Sequence, residues 1–396
     1  MAPAVNPLVA AVEAPPIAEA WSWVEGVTFP ADRPLIDVAQ ALPGYAPAAS
    51  LVDHLAEVVR APGIGGYTAI TGLPDLRAAY AGHLAKSYGG DIHSGDVLIS
   101  AGCNQAYYLA MTTLARAGDS VILPSPWYFN HKMTLDMLGI EARPLVCRAE
   151  NGLVPDVTEA EALIDHSTRA IVLVTPNNPT GAIYSPATIA AFADLARRHG
   201  IALVVDETYR DFLPVAGAVP HGVFADANWR ETLVQLTSFS KVYCLAGYRV
   251  GAVVAGPAFL GEMAKVMDCL AICAPQVGQR AALYGISHLA DWREEKRQLM
   301  GQRLAAFKGA LATRNTGFEI ASIGAYFAFL RHPWEGESST VVARRLAREH
   351  GLLALPGAMF GPGQERHLRF AFANVDAGAM PAIADRLAGA TGAARP

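Results

Sequence analysis

The chain carries little charge for its length: charged residues make up 17% of its 396 positions, against 52% for hydrophobic residues. So many apolar side chains exclude a largely disordered protein, because only folding buries them. The formal net charge of −5 gives no basic footprint, so we expect no nucleic-acid partner. No uninterrupted apolar stretch approaches the length of a membrane span, and we expect no membrane contact.

Cysteine and histidine also show no organised pattern. The five cysteines are an odd number spread along the chain, which argues against a disulfide framework. Cys269 and Cys273 have the spacing of one helix face, and we expect packed core thiols there rather than zinc ligands. The eleven histidines form no metal-binding cluster, so the sequence predicts no metal site. Because the first residues lack the features of a secretory signal, we expect a cytoplasmic location.

Short β-rich runs alternate with helical patterns between residues 97 and 256. The runs are almost continuously apolar, as in parallel strands covered on both faces. The helical segment Pro186–His199 opens on proline and precedes Gly200, which are start and stop signals. We therefore predict an α/β fold with a large, mostly parallel sheet flanked by helices. The predicted strands are 97–100, 120–123, 170–174, 201–205, 233–236 and 250–255.

From about residue 275 the pattern becomes that of a smaller α+β domain. The stretch 276–314 is interpreted as one long helix that links two regions. We predict an N-terminal segment (1–50) that joins the small domain, a large domain (51–290) and a small C-terminal domain (291–396). The later predicted elements are strands 326–330, 352–355 and 367–372 and helices 340–350 and 377–387.

The most informative segment, 237–251, contains a single lysine, Lys241. Because apolar β-type runs flank it, we expect desolvation to lower the pKa of the lysine ammonium group. A neutral lysine amine forms a Schiff base with an aldehyde. The nearby Ser238, Ser240 and Arg249 suit a phosphate on the same molecule. Pyridoxal 5'-phosphate (PLP) has both groups; the alternative is a surface lysine beside a serine-rich turn.

The segment resembles the PLP-attachment site of class I and II aminotransferases of fold type I. Their pattern is Ser-Phe/Tyr-Ser-Lys, followed by Gly-x-Arg, an aliphatic residue and Gly. The resemblance implies that Lys241 holds PLP and that Ser238 and Arg249 bind its phosphate. It extends from about residue 35 to 375, with further motifs in the family's order. The implied reaction moves an amino group from an L-amino acid to a 2-oxo acid in two half-reactions.

Asp206-Glu-Thr-Tyr209 follows the predicted strand 201–205. A carboxylate at the carboxyl end of such a strand faces the cleft in which α/β sheets bind ligands. By itself, the Asp206–Glu207 pair is equally typical of a surface turn or a magnesium site. The resemblance implies that Asp206 keeps the pyridine nitrogen of PLP protonated. It also implies that Tyr209 hydrogen-bonds the phenolic oxygen of PLP.

The segment 176–181, Pro-Asn-Asn-Pro-Thr-Gly, has the composition of a turn. In the family, this sequence marks the end of a strand upstream of the aspartate. The resemblance implies that Asn178 contacts the phenolic oxygen together with Tyr209 and lies beside the substrate.

The residues 100–106 precede or begin an apparent helix, 105–116, directly after a predicted strand. A helix start offers free N–H groups and a favourable dipole to a phosphate. The resemblance places Gly102, Cys103 and Asn104 in the phosphate-binding turn.

Three aromatic residues follow the predicted strand 120–123. A flat ring stacked on the pyridine would fix its tilt and exclude water. The resemblance assigns this position to Tyr128 and leaves Trp127 and Phe129 to packing.

Gly66-Tyr67 and the segment 72–77 resemble the part of the family by which one subunit reaches its neighbour's site. The resemblance implies a homodimer with shared active sites, in which Tyr67 meets the phosphate bound by the partner subunit. The glycines at 63–66 follow a helical segment, 51–60, instead of a strand, so they do not fit a dinucleotide-binding loop.

Arg369 lies within the apolar predicted strand 367–372, and a guanidinium in a buried strand requires an anion. An internal Asp or Glu is one candidate, whereas the resemblance implies the α-carboxylate of the substrate. The chain departs from the family at Ala41, where many members carry a glycine whose N–H faces that carboxylate. The methyl group of Ala41 narrows the substrate site.

Two other classes of function fit parts of the sequence. A β-lyase, decarboxylase or oxidase would use the same cofactor, and the residues near Lys241 do not separate these reactions. Aminotransferase-like ligand-sensing modules occur in transcription regulators, but they follow a basic DNA-binding domain, and we expect none in the short, weakly charged N-terminal segment.

The amino donor is predicted from charge. In dicarboxylate-specific relatives, the partner subunit supplies a second arginine; the equivalent segment here, 266–275, contains no arginine, and its Asp268 is acidic. We expect a neutral donor, such as methionine or an aromatic amino acid; a cationic donor attracted by Asp268 is the alternative. The residues expected to line an apolar entrance are Trp21, Trp23, Tyr45 and the cluster 127–129.

Overall fold

The computed structural model describes residues 3–392 as strands and helices joined by short turns. The strands are β1 (Ile36–Asp37), β2 (Val97–Ser100), β3 (Ser120–Ser125), β4 (Glu141–Val146), β5 (Thr168–Val174), β6 (Ala202–Asp206), β7 (Leu233–Ser238), β8 (Gly251–Val254), β9 (Glu319–Gly324), β10 (Phe327–Arg331), β11 (Leu352–Leu353), β12 (Leu355–Pro356) and β13 (His367–Phe370). The helices are α1 (Pro7–Ala10), α2 (Pro16–Ser22), α3 (Ala49–Arg60), α4 (Pro74–Tyr88), α5 (Cys103–Leu114), α6 (Phe129–Leu138), α7 (Val157–Ala162), α8 (Pro186–His199), α9 (Phe239–Val242), α10 (Pro257–Ala271), α11 (Gln276–His288), α12 (Ala290–Ala312), α13 (Ser339–His350) and α14 (Met380–Thr391).

Seven strands form the large sheet, in the order β2-β8-β7-β6-β5-β3-β4. Strand β8 is antiparallel to both neighbours, and the other pairs are parallel. Strands β2, β3, β7 and β8 are buried at every position, as a sheet covered on both faces requires. The predicted α/β fold with a mostly parallel sheet is confirmed.

Helix α8 shows how local signals set the boundaries of an element. The Ser185 hydroxyl accepts a hydrogen bond from the Thr188 N–H at 3.0 Å, and Pro186 occupies the first turn. Gly200 ends the helix in the left-handed conformation, with φ of 62°. The helix therefore begins and ends at the residues predicted from the sequence.

The edge strands β4 and β9 were missed by the sequence prediction. Leu145 is the one buried residue of β4, and Pro144 in the same strand is typical of an edge position. Strand β9 lies at the edge of the small sheet and is mostly half-exposed. Neither β4 nor β9 has the continuous apolar run that reveals a strand covered on both faces.

The small sheet is antiparallel, in the order β12-β13-β10-β9. Beside it, β1 pairs in parallel with β11, and the register places Ile36 opposite Leu352. The N-terminal segment therefore pairs with the C-terminal part of the chain. The domain boundaries near residues 50 and 290 stay a prediction.

The single long helix predicted over 276–314 is wrong. Helix α11 ends at His288 and α12 begins at Ala290, because Leu289 between them has non-helical dihedral angles (φ −112°, ψ 31°). Leu289 is buried in the hydrophobic core of the large sheet. No glycine or proline marks this break, so packing of Leu289 accounts for it.

Two large hydrophobic cores and a smaller one around Tyr209 and Tyr326 surround the candidate site. One large core joins the large sheet to its helices, and the other joins the small sheet to α2, α13 and α14. The loops that follow β2, β3, β5, β6 and β7 all leave the same edge of the large sheet. In α/β sheets, ligands bind at this edge.

Candidate active site

A cavity of about 220 Å³ lies at the carboxyl-terminal edge of the large sheet, with Arg369 of β13 in its opposite wall. The predicted site residues that line it are Ala41, Cys103, Asn104, Tyr128, Asn178, Asp206, Tyr209, Ser238, Lys241, Arg249 and Arg369. Gly102 lies directly before Cys103, whereas Tyr67 lies outside the cavity. Residues that are far apart in the chain thus meet at one place.

Lys241 lies on α9, a single helical turn that directly follows β7. Its Nζ donates a hydrogen bond to the backbone carbonyl of Ala41 at 2.5 Å. Burial, together with the positive charges of Arg369 and Arg249, lowers the pKa of Lys241 from 10.5 to about 8. A far larger fraction of this amine is therefore neutral and nucleophilic near neutral pH than in an ordinary lysine.

Asp206, the last residue of β6, is buried and ionised. Its Oδ1 accepts a hydrogen bond from the Thr208 N–H at 3.0 Å. Burial alone would raise the pKa of Asp206, but contacts with His131 and Thr208 outweigh it, so the pKa lies below its ordinary value. The carboxylate therefore faces the cavity as an anion.

His131 was not predicted as a site residue, although it closes the aromatic segment that contains Tyr128. Its Nε2 lies 3.4 Å from Oδ2 of Asp206. Its ring stacks on Tyr107, with centroids 3.8 Å apart and an interplanar angle of 15°. The stacking fixes the imidazole, so His131 positions the carboxylate of Asp206.

Arg369 is only 1% exposed, yet none of the described residues places a carboxylate within ion-pair distance of it. Its guanidinium donates to Asn178 Oδ1 at 3.0 Å and to the carbonyl of Ala39, and its Nε has no partner among the described residues. Burial lowers the pKa of Arg369 to about 10, against the opposing influence of Tyr209, Tyr128 and Asp37. The internal Asp or Glu partner considered above is absent from the described chain, and the site suits an external anion.

The residues 102–104 form a turn at the start of α5. Gly102 has φ of 88°, and a Cβ at this position would clash with the guanidinium of Arg249. Arg249 donates to the carbonyls of Ala246 and Ala101 at 2.9 and 3.1 Å. The side chain of Ser238 caps α9 by accepting from the Ser240 N–H. A helix start, two hydroxyls and a guanidinium thus converge, as a phosphate requires.

The two tyrosines of the cavity occupy different walls. The Tyr128 hydroxyl donates to Asn104 Oδ1 at 3.4 Å, and burial raises the pKa of Tyr128 to about 12. Tyr209 packs on Tyr326 and Phe327, with ring centroids 5.1 Å apart in each case. Both phenols therefore stay protonated and can donate hydrogen bonds into the cavity.

The expected aromatic entrance is only partly present. Trp23 is buried in the core of the small sheet, and Tyr45 lines a separate cavity. Neither Trp21 nor Trp127 lines the candidate site, whereas Phe129 does. The prediction is wrong for these four residues, whereas Tyr128 and Phe129 line the cavity; Trp23, which follows the last residue of α2, packs into the core of the small sheet.

Other residues complete the cavity without having been predicted. Ile17 reaches it from helix α2, which sequence spacing places nowhere near the large sheet. Gln40 adjoins Ala41, Asn130 adjoins the aromatic segment, and Thr208 adjoins Asp206. Closeness to a predicted residue is the only signal that could have found these three. Ser240, which the sequence analysis associated with the phosphate, also lines the cavity.

The magnesium alternative for the Asp206–Glu207 pair is not supported by the geometry. Glu207 points away from Asp206 and accepts hydrogen bonds from Tyr88 and Gln235. Within residues 3–392, no three His, Cys, Asp or Glu side chains are grouped as a metal site.

Cys269 is exposed and Cys273 is half-buried, so the expectation of packed core thiols was wrong.

No helix in the described part of the chain is long and apolar enough to cross a bilayer.

Comparison with known proteins identifies the family. The sequence model of aminotransferase class I and II matches residues 30–387. The chain belongs to this family. It is 28% identical to an aromatic aminotransferase of Arabidopsis thaliana over 89% of this chain and 88% of that one. It is 30% identical to an aspartate aminotransferase of Pyrococcus horikoshii over 78% of each chain.

The fold agrees with the same family. The structure of aspartate aminotransferase from Thermus thermophilus with maleate superposes with a TM-score of 0.88 at 22% identity, over 98% of this chain and 100% of that one. The resemblance found around Lys241 is thereby confirmed, and the protein is a PLP-dependent aminotransferase of fold type I. Its substrates are an amino acid and a 2-oxo acid.

The residues present fit PLP. The turn 102–104 with Ser238 and Arg249 suits its phosphate, Asp206 suits a protonated ring nitrogen, and the amine of Lys241 suits its aldehyde. Arg369, which has no carboxylate partner, remains for the substrate.

The aminotransferase is expected to take up PLP with a pH dependence set by Lys241. Only the neutral amine attacks an aldehyde, and the pKa of this lysine is about 8, below the ordinary value of 10.5. The second-order rate constant for PLP addition to the cofactor-free aminotransferase should therefore rise with pH, with a midpoint near pH 8, and reach a plateau above it. Stopped-flow absorbance measures it. Arg369→Met, which removes a neighbouring positive charge, should raise the midpoint, and a native midpoint near 10.5 would contradict this account.

Proposed function

We propose that Lys241, Asp206 and Arg369 divide the work of transamination among them. The observation that carries this proposal is their meeting in one cavity: a neutralisable amine, an ionised carboxylate and a guanidinium without a carboxylate partner. Each group has the charge state that its role requires. Gly102, Cys103, Asn104, Ser238 and Arg249 bind the phosphate in this proposal.

When bound, PLP supplies an aldehyde carbon for the amino group and a ring that withdraws electrons. Arg369 binds the α-carboxylate of the amino acid and so orients its Cα–H bond. Once freed by the amino group of the substrate, the amine of Lys241 would take the proton from Cα as a general base and, as a general acid, deliver it to the former aldehyde carbon of the cofactor. A pKa of about 8 suits both directions of this transfer.

Asp206 acts by electrostatics in this proposal. Its ionised carboxylate keeps the ring nitrogen of the cofactor protonated, and His131 and Thr208 preserve that ionisation. In this proposal, Tyr209 and Asn178, which both line the cavity, hydrogen-bond the phenolic oxygen. In the structure, Asn178 Oδ1 accepts from Arg369, so this asparagine also links the cofactor position to the carboxylate site.

We infer a neutral amino donor from the charges around the cavity. The cationic residues of the described chain that line the cavity are Lys241, Arg249 and Arg369. In this proposal each already has a role, in proton transfer, phosphate binding and binding of the α-carboxylate respectively. The side chain of a dicarboxylic substrate would bring a further carboxylate, which is costly to bury without a cation. Asp268 is exposed and does not line the cavity of its own chain, so it would favour a cationic donor only through the shared site of the dimer proposed below. The named relatives include both aromatic and aspartate aminotransferases and do not decide the point.

Methionine or phenylalanine is therefore expected to exceed aspartate in kcat/KM by about tenfold or more, since an unpaired buried charge costs several kcal/mol. Aspartate, methionine, phenylalanine and arginine are compared as donors to a common 2-oxo acid. A clear preference for aspartate would contradict the proposal, and a preference for arginine would favour the cationic alternative.

Gln40 offers a matched pair of variants for the same measurement. It is exposed, lines the cavity and adjoins Ala41. Gln40→Arg is expected to raise kcat/KM for aspartate relative to methionine, because it supplies a cation. Gln40→Met, of similar length but neutral, should leave the low activity towards aspartate unchanged.

We propose a homodimer whose sites are shared. Tyr67 is 79% exposed, and the neighbouring Thr68 N–H donates to the Cys273 thiol at 3.4 Å. Leu270 and Ile272 are also exposed beside this contact, and Val52 and Val59 are exposed on α3. Exposed apolar residues at this density are typical of protein–protein contact surfaces.

The domain boundaries and the cytoplasmic location stay predictions from the sequence.

Mixing two inactive variants tests the dimer. A Lys241→Ala chain still supplies Tyr67, and a Tyr67→Asp chain still supplies Lys241, so each hybrid contains one complete site. Random mixing is expected to recover about a quarter of the wild-type activity, because half of the dimers are hybrids with one working site.

The control mixes Lys241→Ala with Asp206→Asn, two changes that fall in the same chain's site, and should recover nothing. A fully active monomer, or no recovery with the Tyr67 variant, would contradict the shared site.

A further inference from the structure

Asp206 and Glu207 are neighbours whose side chains lie on opposite sides of the large sheet. The N–H of Glu207 donates to the carbonyl of Leu236 at 2.9 Å, so the pairing of β6 with β7 continues one residue beyond Asp206. Successive side chains of an extended strand point to opposite faces. Asp206 accordingly lines the active-site cavity and contacts His131, whereas Glu207 does not line that cavity.

Glu207 is only 1% exposed and is held by side chains of two other elements. Its Oε2 accepts from the Tyr88 hydroxyl at 2.8 Å and from Gln235 Nε2 at 2.6 Å. Tyr88 is the last residue of α4, and Gln235 lies in β7 opposite Val205. One carboxylate therefore joins the end of β6 to α4 and to the strand that leads to Lys241.

Arg210 completes this arrangement from the other end of the turn 206–210. Its backbone N–H donates to the carbonyl of Glu207 at 3.1 Å, and its Nη1 donates to the Tyr88 hydroxyl at 3.4 Å. Its guanidinium, on a side chain that is 8% exposed, lies over the rings of Tyr80 and Tyr88, 5.4 and 5.7 Å from their centroids. Both Glu207 and Arg210 are thus tied to Tyr88.

The carboxyl group of Glu207 is ionised. Burial would raise its pKa, but the nearby His221 and Arg210 and the hydrogen bond from Gln235 outweigh burial, and the pKa lies below its ordinary value. Buried ion pairs add little net stability, because removing both charges from water costs about as much as their attraction returns. Hydrogen bonds weaken steeply away from their preferred angles, so two of them on one oxygen fix the orientation of the carboxylate. Glu207 is therefore better suited to fixing geometry than to stabilising the fold.

We propose that Glu207 is a positioning residue for Asp206. Held by Tyr88 and Gln235, it fixes the backbone at the end of β6 and so the direction in which the Asp206 carboxylate points. The contacts of Asp206 with His131 and Thr208 preserve its charge, whereas Glu207 sets its place. This inference rests on the proposed role of Asp206 beside the ring nitrogen of the cofactor. A displacement of about 1 Å is enough to lower a catalysed rate about a hundredfold.

Substitutions of Glu207 are tested in the half-reaction of the PLP-loaded enzyme with an amino donor. Glu207→Met keeps the volume of the side chain and removes both acceptor oxygens. We expect it to lower the maximal rate about a hundredfold. The apparent Kd of the donor should change by less than about threefold, because the donor binds to Arg369. Glu207→Gln keeps an oxygen for Tyr88 and Gln235 and should restore the rate to within about tenfold of the wild type.

A double-mutant cycle shows whether the effect passes through Asp206. In the Asp206→Asn background, Glu207→Met should lower the rate by less than about threefold, because the carboxylate that Glu207 positions is already gone. A general loss of structure would lower the rate equally in both backgrounds. If Glu207→Met does not fold, Tyr88→Phe supplies the same cycle, since it removes the hydroxyl and keeps the ring. Its expected effect with Asp206 present is about tenfold.

The ¹⁵N chemical shift of the ring nitrogen, measured with ¹⁵N-labelled PLP, gives a readout that does not depend on turnover. Asp206→Asn and Glu207→Met should both move it from the protonated towards the neutral position, because each weakens the anion opposite that nitrogen. Asp96→Asn is the matched control. Asp96 is 1% exposed, and its two carboxylate oxygens each accept from the Arg230 guanidinium at 2.8 Å. This change lies outside the active-site cavity and should leave the chemical shift and the rate unchanged.

Three outcomes would overturn this inference alone: a wild-type rate for Glu207→Met, equal effects of Glu207→Met in the two backgrounds, or a chemical shift that Asp206→Asn moves and Glu207→Met does not. A chemical shift that Asp206→Asn also leaves unchanged would contradict the proposed role of Asp206, and this inference with it.

Discussion

Replacement of Lys241 by alanine is expected to lower kcat by about a thousandfold or more, because the same amine is both the attachment point and the proton carrier. It should also abolish the visible absorbance band of lysine-bound PLP. Lys241 is the one lysine that lines the cavity in the described chain, so no other amine is placed to replace it. The spectrum of the PLP-treated variant and borohydride reduction followed by peptide mapping measure both effects.

Lys265 provides the matched control for this substitution. It is an exposed lysine on α10 that pairs with Glu262 at 2.7 Å. Lys265→Ala should keep the absorbance band and the activity. PLP trapped on a different lysine, or near-normal turnover of Lys241→Ala, would show that the attachment site is elsewhere.

Replacement of Asp206 by asparagine is expected to leave PLP bound but to lower kcat by about a hundredfold to a thousandfold, as removal of a preorganised electrostatic partner does. The phosphate-binding turn and Lys241 still hold the cofactor in this variant. An amide keeps the shape of the carboxylate but does not hold a ring nitrogen in its protonated state. Absorbance changes in single half-reactions, with PLP content measured separately, distinguish lost turnover from lost cofactor.

The control for this change is Asp226→Asn, since Asp226 forms a surface ion pair with Arg197. Surface pairs contribute little, and this variant should behave as the wild type. Half-reaction rates of Asp206→Asn within a few-fold of the wild type would mean that the carboxylate serves another partner, such as His131.

Much of the large sheet could be predicted because its central strands are short apolar runs. Helix α8 was predictable because Ser185, Pro186 and Gly200 mark its ends locally. The break at Leu289 and the half-exposed strand β4 could not be foreseen, since tertiary packing decides the first and an edge position weakens the signal of the second. Sequence analysis therefore predicts the elements whose ends are set by neighbouring residues, and it misses those whose ends are set by contacts with distant parts of the chain.

The same distinction applies to the candidate site. Lys241, Asp206 and Asn178 follow strand ends, so sequence order alone placed them at one edge of the sheet. Ile17 reaches the cavity from an N-terminal helix, and the contact of His131 with Asp206 depends on a ring stacked on Tyr107. Neither of these contacts leaves a trace in residue spacing.

Transfer of labelled nitrogen tests the central claim most directly. The PLP-loaded enzyme is incubated with ¹⁵N-labelled methionine and an unlabelled 2-oxo acid, and the products are separated by mass spectrometry. The account predicts that the label appears in the amino acid formed from the 2-oxo acid, in equal amount to the oxo acid formed from methionine, and that Lys241→Ala abolishes it. Release of the label as ammonia would contradict it. So would consumption of methionine in the absence of any 2-oxo acid acceptor, with carbon dioxide, a thiol or hydrogen peroxide as a product.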